Sequence, residues 1–220
     1  MNIYAIGDLH LPGGKKPKTM DIFGEVWNNH FEKIKENWFL NVSEKDIVLI
    51  PGDISWALRL DDVVDDLKEI SQLKGKKLFI KGNHDYWWNS LSKIKSIAAD
   101  NMHFIQNNVY QNDEYIIGGT RGWVIPNSPQ TSGEADKKIF ERELQRLKLS
   151  LDFMANSKKE RIAMMHFPPV LSNGIETEFT KIFEAYNVKK VVYGHLHGEG
   201  TQEAFNGVLN GVEYALVSAD

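Results

Sequence analysis

Short apolar runs alternate along the chain with segments of helical periodicity. Residues 2–6, 46–51, 76–81, 161–165 and 189–193 are rich in Ile, Val, Leu or Met. Each stops at a polar or glycine step: Gly7-Asp8, Gly52-Asp53, Gly82-Asn83, His166 and Gly194-His195. Runs of this length and bounding predict buried strands. Between them, apolar residues recur at helical spacing. The stripes are Phe23, Trp27, Phe31, Ile34 and Trp38; then Val63, Leu67 and Ile70; then Leu91, Ile94 and Ala98; then Ile139 or Phe140, Leu144, Leu147, Leu151 and Met154; and finally Phe179, Ile182 or Phe183, and Tyr186. Such stripes need an apolar surface to cover. The alternation predicts an α/β protein. Residues 103–106 and 114–118 read as further strands, and 119–133 as an exposed loop. Residues 203–217 read as a hairpin with its turn at Asn206-Gly207 or Asn210-Gly211. The 220 residues contain no linker or repeat, so 1–220 is expected to be a single domain.

Composition narrows the function classes. Lys plus Arg is 26 and Asp plus Glu is 30, a formal charge of −4, which argues against a broad nucleic-acid-binding surface. Cysteine is absent, which removes thiol nucleophiles, thiolate metal sites and iron–sulfur clusters. No run reaches the ~18 apolar residues of a membrane span. The amino terminus has no basic region followed by a long apolar segment, so a cytoplasmic protein without a membrane partner is expected. The acidic group Asp61, Asp62, Asp65 and Asp66 is expected to open a helix and face solvent. The Lys-rich stretch 15–18 is expected to be a solvated loop, and His30 to be structural.

The chemistry lies where the strands stop. In open α/β sheets the carboxyl ends of the strands form the usual site. Asp8, His10, Asp53, Asn83, His84, His166, His195 and His197 converge there if the strands form as expected. Five of the chain's seven histidines belong to this set. Imidazole and carboxylate oxygen suit zinc, iron(II) or manganese. Asp8-x-His10 and His195-x-His197 each present two side chains on one side of an extended segment. With Asp53, Asn83 and His166 they supply enough donors for two divalent transition-metal ions. The glycines before Asp8, Asp53, Asn83 and His195 are expected to permit tight turns and close approach of a substrate.

These blocks, Gly7-Asp8-Leu9-His10, Gly52-Asp53, Gly82-Asn83-His84-Asp85, His166 and Gly194-His195-Leu196-His197, resemble the signature of the calcineurin-like metallophosphoesterase superfamily, in its order. More narrowly, the chain resembles a bacterial Ser/Thr protein phosphatase-like phosphohydrolase. The resemblance spans residues 7 to 197. It implies a four-layer α/β/β/α sandwich with two central mixed β-sheets. It implies one ion held by Asp8, His10, Asp53 and His197, and a second held by Asp53, Asn83, His166 and His195. It also implies that His84 acts near the leaving group. Two blocks depart from the protein-phosphatase branch. Gly52-Asp53 continues as Ile54-Ser55-Trp56-Ala57, and Asp85 stands where that branch has Glu.

The expected activity is hydrolysis of a phosphomonoester or phosphodiester by a water activated between two ions and attacking phosphorus in line. His84 would donate a proton to the leaving oxygen or hold a phosphoryl oxygen. Asp85 is the candidate to orient it. The substrate is expected to be a small phosphorylated molecule or a nucleotide. Trp56, Trp87, Trp88 and Trp123 are candidates for an apolar wall around it. Arg121 is a candidate phosphate contact, and Arg59 a weaker one. Another metal-assisted hydrolase and a nuclease are the alternatives.

Overall fold

The computed structural model describes residues 1–14, 17–126, 133–172 and 174–220. One sheet holds β1 (Ile3–Ala5), β2 (Ile47–Ile50), β3 (Lys76–Phe79) and β4 (Met102–Phe104) in that order, with every pairing parallel. The other holds β5 (Tyr110–Gln111), β6 (Tyr115–Thr120), β7 (Glu160–Met165), β8 (Lys190–Tyr193), β9 (Gly207–Leu209) and β10 (Val212–Leu216). Its order is β5-β6-β7-β8-β10-β9, with parallel strands inside and antiparallel β5 and β9 at the edges.

Alternation along the strands builds the layers. Ile47, Leu49 and Leu78 meet Ile162, Met164 and Val192 between the sheets. Val48, Ile50 and Phe79 point the other way, into a core shared with α1 (His30–Asn41), α2 (Val64–Ser71) and α3 (Leu91–Lys95). Ala163, Met165, Val191 and Tyr193 do the same toward α4 (Glu134–Leu151) and α5 (Glu178–Ala185). A strand covered on both faces reads as a continuous apolar run, as Ile47–Ile50 does. The four-layer sandwich is therefore the fold, and one detail differs from expectation: only the second sheet is mixed.

Other departures have local causes. The hairpin turns at Asn210-Gly211, with φ of +50° and +82°, the pair of positive values that a two-residue type I′ turn requires. Phe23 does not continue the stripe of α1. It lies in a 3-10 turn and is 55% exposed. Asp66 does not face solvent. It is buried, accepts the Gly13 N–H at 3.0 Å, and accepts a short hydrogen bond from the Ser55 hydroxyl. The expected loop 119–133 begins inside β6, and its residues 127–132 lie outside the described residues, as do 15 and 16 of the Lys-rich stretch. No described helix is long and apolar enough to cross a membrane.

Candidate metal centre

The carboxyl ends of β1, β2, β3, β7 and β8 open at one edge of the sandwich. Two contacts lock the sheets together there. Gly7 donates its N–H to Val217 O at 2.6 Å, and His195 donates its N–H to Asp8 Oδ2 at 3.0 Å. Four donor residues sit on positive-φ backbone: Asp8 (φ +58°), His10 (φ +43°), Asp53 (φ +50°) and His195 (φ +78°). Such conformations cost energy in a non-glycine residue and persist where the surroundings fix them. Here the surroundings are specific. Buried Asp85 accepts the N–H groups of Ile54 (2.9 Å), Ser55 (3.3 Å) and Gly82 (2.8 Å), tying the loop after β2 to the loop after β3. Asp66 ties the loop after β1, through Gly13, to Ser55. His30 lies close to Leu9 O, with its Nε2 at 2.8 Å, between the two donors of the first block.

Gly52 makes the expected tight turn, with φ +95°, but Gly82 and Gly194 make room for something other than a substrate. A Cβ at Gly82 would lie 2.1 Å from Asp53 Oδ1, and one at Gly194 would lie 2.2 Å from Asp8 Oδ2. What approaches the backbone is thus a carboxylate of the protein itself.

Donor atoms gather in two groups. In the first, His10 Nε2 lies 3.3 Å from His197 Nε2 and 3.8 Å from Asp53 Oδ2, while His197 Nε2 lies 3.5 Å from Asp8 Oδ1. In the second, Asn83 Oδ1 lies 2.7 Å from His166 Nε2 and 2.9 Å from His195 Nδ1, and Asp53 Oδ2 lies 3.5 Å from His166 Nε2. One oxygen, Asp53 Oδ2, faces both groups. Asp8 also approaches the second group, with its Oδ1 at 4.0 Å from His166 Nδ1.

This donor chemistry fits divalent cations. Donors bound at about 2.1 Å to one ion stand about 3.0–3.4 Å apart, close to several of these spacings. The His166 ring gives the sharper test. Its Nδ1 faces Pro51 O at 3.0 Å, an acceptor, so Nδ1 carries the proton. Burial lowers its pKa, so the ring is neutral and Nε2 presents a lone pair. That lone pair points at the amide oxygen of Asn83, an acceptor-to-acceptor contact that a cation resolves. The Asp53 carboxylate carries the same signature. Burial, followed by the nearby Asp8 charge, pushes Asp53 up to about 8. A cation beside it reverses both effects. His10 and His195 are each lowered to about 3, chiefly by burial, which leaves neutral imidazoles suited to ligation.

Asp220 is a site residue that reading the sequence missed. Its Oδ1 accepts from His197 Nδ1 at 2.8 Å, and its Oδ2 from the Gly198 N–H at 2.8 Å. This leaves His197 Nε2 facing the first group, the arrangement in which a carboxylate orients an imidazole ligand. Ser218 donates to Asp8 Oδ2 at 3.0 Å. No local pattern marks either residue, because both partners lie far away in sequence.

The remaining candidates separate. The His84 ring is partly exposed beside the centre, with its centroid 4.5 Å from that of Trp56, and the His84 backbone N–H donates to Asp53 Oδ1 at 2.8 Å. Burial, then the charge of His166, lowers its pKa, so the ring is neutral. Asp85 is corrected: fully buried, its carboxylate accepts from the N–H groups of Ile54, Ser55 and Gly82 and from the Trp87 indole rather than from the His84 ring it was expected to orient, and it braces the loops instead. Trp87 is corrected as well. It is 1% exposed, with its Nε1 donating to Asp85 at 3.0 Å, and belongs to the core. Trp56 stacks on His10 with centroids 4.7 Å apart and carries the Lys18 ammonium 3.3 Å from a ring centroid. Trp123 lies 5.0 Å from Phe167 and 4.5 Å from the Arg121 guanidinium. Trp88 is buried, with Nε1 donating to Gln106 at 2.7 Å. Arg59 lines a separate cleft beside Asp61 and Asp62.

The sequence profile of calcineurin-like phosphoesterases matches residues 1–199. No curated protein is matched by the chain. Among solved structures, the fold is similar to that of the phosphopantetheinyl hydrolase of Mycobacterium tuberculosis. The TM-score is 0.57 at 14% identity, over 98% of this chain and 88% of that one. It is also similar to the calcineurin-like phosphoesterase YfkN of Bacillus subtilis. There the TM-score is 0.54 at 15% identity, over 99% of this chain and 81% of that one. At such identities the likeness concerns the fold alone.

Proposed function

This chain belongs to the calcineurin-like phosphoesterase family, and from that premise we propose that it hydrolyses a small phosphoester with two divalent cations held by seven side chains. Asp8, His10, Asp53 and His197 hold one ion; Asp53, Asn83, His166 and His195 hold the other. The observation that carries this reading is the position of Asp53 Oδ2, 3.8 Å from His10 Nε2 and 3.5 Å from His166 Nε2, facing both groups at once. Divalent cations bound there supply an activated water and neutralise charge on the phosphoryl oxygens.

The protein's own residues do the rest. The Asp85 brace holds Gly82 and Ile54 so that Asn83 and Asp53 stay in register. Asp220 accepts a hydrogen bond from His197 Nδ1 and aims Nε2 at the first group. Burial lowers the pKa of this ring, but hydrogen bonds to Asp220 and Asp8 outweigh it and push the ring up to about 10, so Nε2 gives up its proton when it ligates. A neutral His84 is a poor proton donor in full transfer, but its ring N–H hydrogen bonds well to a phosphoryl or leaving oxygen. The Trp56 ring beside it limits its motion and shields that oxygen from water. Manganese, iron(II) and zinc all suit these donors.

Elemental analysis after manganese saturation, paired with assays on p-nitrophenyl phosphate and bis-p-nitrophenyl phosphate, tests the reading. Two ions per chain and turnover of at least one ester are expected. One ion or none, or no turnover with any of the three metals, overturns it.

A further inference from the structure

A cavity of about 410 Å³ opens at the carboxyl ends of β3, β4 and β6, on the flank of the donor cluster. That is the size of a small-molecule pocket. Its wall carries three cations, Lys81, Arg121 and Arg146, against a single carboxylate, Glu143. Glu143 is already engaged: it accepts from Arg146 at 2.7 Å, from Arg121 at 3.3 Å and from the Thr120 hydroxyl at 2.5 Å. Lys81 makes no hydrogen bond or ion pair to another described side chain, and Arg121 Nε is buried with no partner. Two positive charges on this wall are therefore unmatched.

The cavity is joined to the candidate centre through the backbone. Lys81 immediately precedes Gly82-Asn83, and Arg121 O accepts the N–H of His166 at 3.0 Å. Both connections lead to the second donor group. We propose that this cavity binds a second phosphate of the substrate, so that the preferred substrate carries its scissile phosphoester and a further phosphate in one molecule. The inference rests on the phosphoesterase reading and adds the substrate class to it. Arg121 and Arg146 offer planar forks matched to phosphate oxygens, and Lys81 offers a point charge. Trp88 and Ser90 also line the cavity.

The test uses manganese-loaded enzyme and three nucleotides: adenosine 5′-monophosphate, adenosine 5′-diphosphate and adenosine 3′,5′-bisphosphate. At least one two-phosphate nucleotide is expected to exceed the monophosphate in kcat/KM by tenfold or more. Lys81→Gln and Arg146→Gln are each expected to reduce that ratio fivefold or more, through KM rather than kcat, and Arg146→Lys to restore part of it. Equal use of one- and two-phosphate nucleotides, or variants that slow all three alike, overturns the inference while leaving the phosphoesterase reading intact. Calorimetry with inorganic phosphate provides an arm independent of turnover. Two phosphates are expected per wild-type chain and one per Lys81→Gln/Arg146→Gln chain. A cavity that binds free phosphate without any two-phosphate preference also overturns the claim about substrate. Failure to hydrolyse p-nitrophenyl phosphate, its diester and all nucleotides with any metal counts instead against the phosphoesterase reading.

Discussion

The two sheets contribute unlike halves of the candidate centre. Strand ends of the first carry Asp8, His10, Asp53 and Asn83, three oxygen donors and one imidazole. Those of the second carry His166, His195 and His197, all imidazole. The halves are also held differently. Positive φ occurs in both halves, at Asp8, His10 and Asp53 and at His195, but only in the first half are the loops braced by buried carboxylates, those of Asp66 and Asp85. His166 is oriented by the backbone oxygen of Pro51, and His197 by Asp220. The contrast has a physical reason. Buried carboxylates repel one another unless a cation lies between them, so the oxygen-rich half needs rigid bracing to keep them close. The neutral rings of His166 and His195 do not repel. Burial lowers the pKa of the His197 ring, but hydrogen bonds to Asp220 and Asp8 outweigh it and push the ring up to about 10. One acceptor on the outer nitrogen aims the rings of His166 and His197.

The comparison can be broken most directly by removing one donor from each half. Asp53→Asn is expected to abolish binding of both ions and to reduce turnover by at least about 100-fold, since its oxygen faces both donor groups. His195→Ala is expected to cost only one ion. Elemental analysis of the two variants distinguishes them, and identical ion counts would show that Asp53 does not bridge.

Bracing comes next. Asp85→Ala leaves the N–H groups of Ile54, Ser55 and Gly82 and the indole of Trp87 without their acceptor, a loss of roughly 3 kcal/mol or more. Urea unfolding measures it. In the other half, Asp220→Ala is expected to weaken metal affinity about 10- to 100-fold with little change in unfolding free energy. Chelator competition reads that effect. An Asp220→Ala protein with wild-type affinity would place the brace outside the centre's working parts.

The smallest effect lies at the opposite end of the first sheet. Lys77 on β3 is fully buried, donating to the carbonyls of Leu73 and Gly75, and burial lowers its pKa to about 8. The unfolded value is higher, so between about pH 8 and 10.5 the unfolded chain binds more protons and stability rises with pH. Relative to Lys77→Met, the wild type is expected to gain on the order of 1–2 kcal/mol between pH 7.5 and 9.5. A flat difference between the two would show that the ammonium group is not desolvated in the fold.

Much of the architecture is legible in the sequence because covered parallel strands read as unbroken apolar runs, and each stops where its polar residues start. The donor residues stand at those stops. Other features depend on contacts that sequence distance conceals. The burial of Asp66 depends on Gly13 and Ser55, and that of Asp85 on Ile54 and Gly82, each pair supplied by other loops. Trp87 has the same composition and neighbourhood as a rim residue, yet its indole N–H finds Asp85 in the interior. Strand β5 spans two residues, too few to leave a periodic trace.

The central claim is that side chains from both sheets surround two cations sharing Asp53. Anomalous diffraction from crystals soaked in manganese tests it most directly. The account predicts two peaks, one within bonding distance of Asp8, His10 and His197 and the other of Asn83, His166 and His195, with Asp53 touching both. A single peak, or two peaks with Asp53 bound to only one, would contradict it.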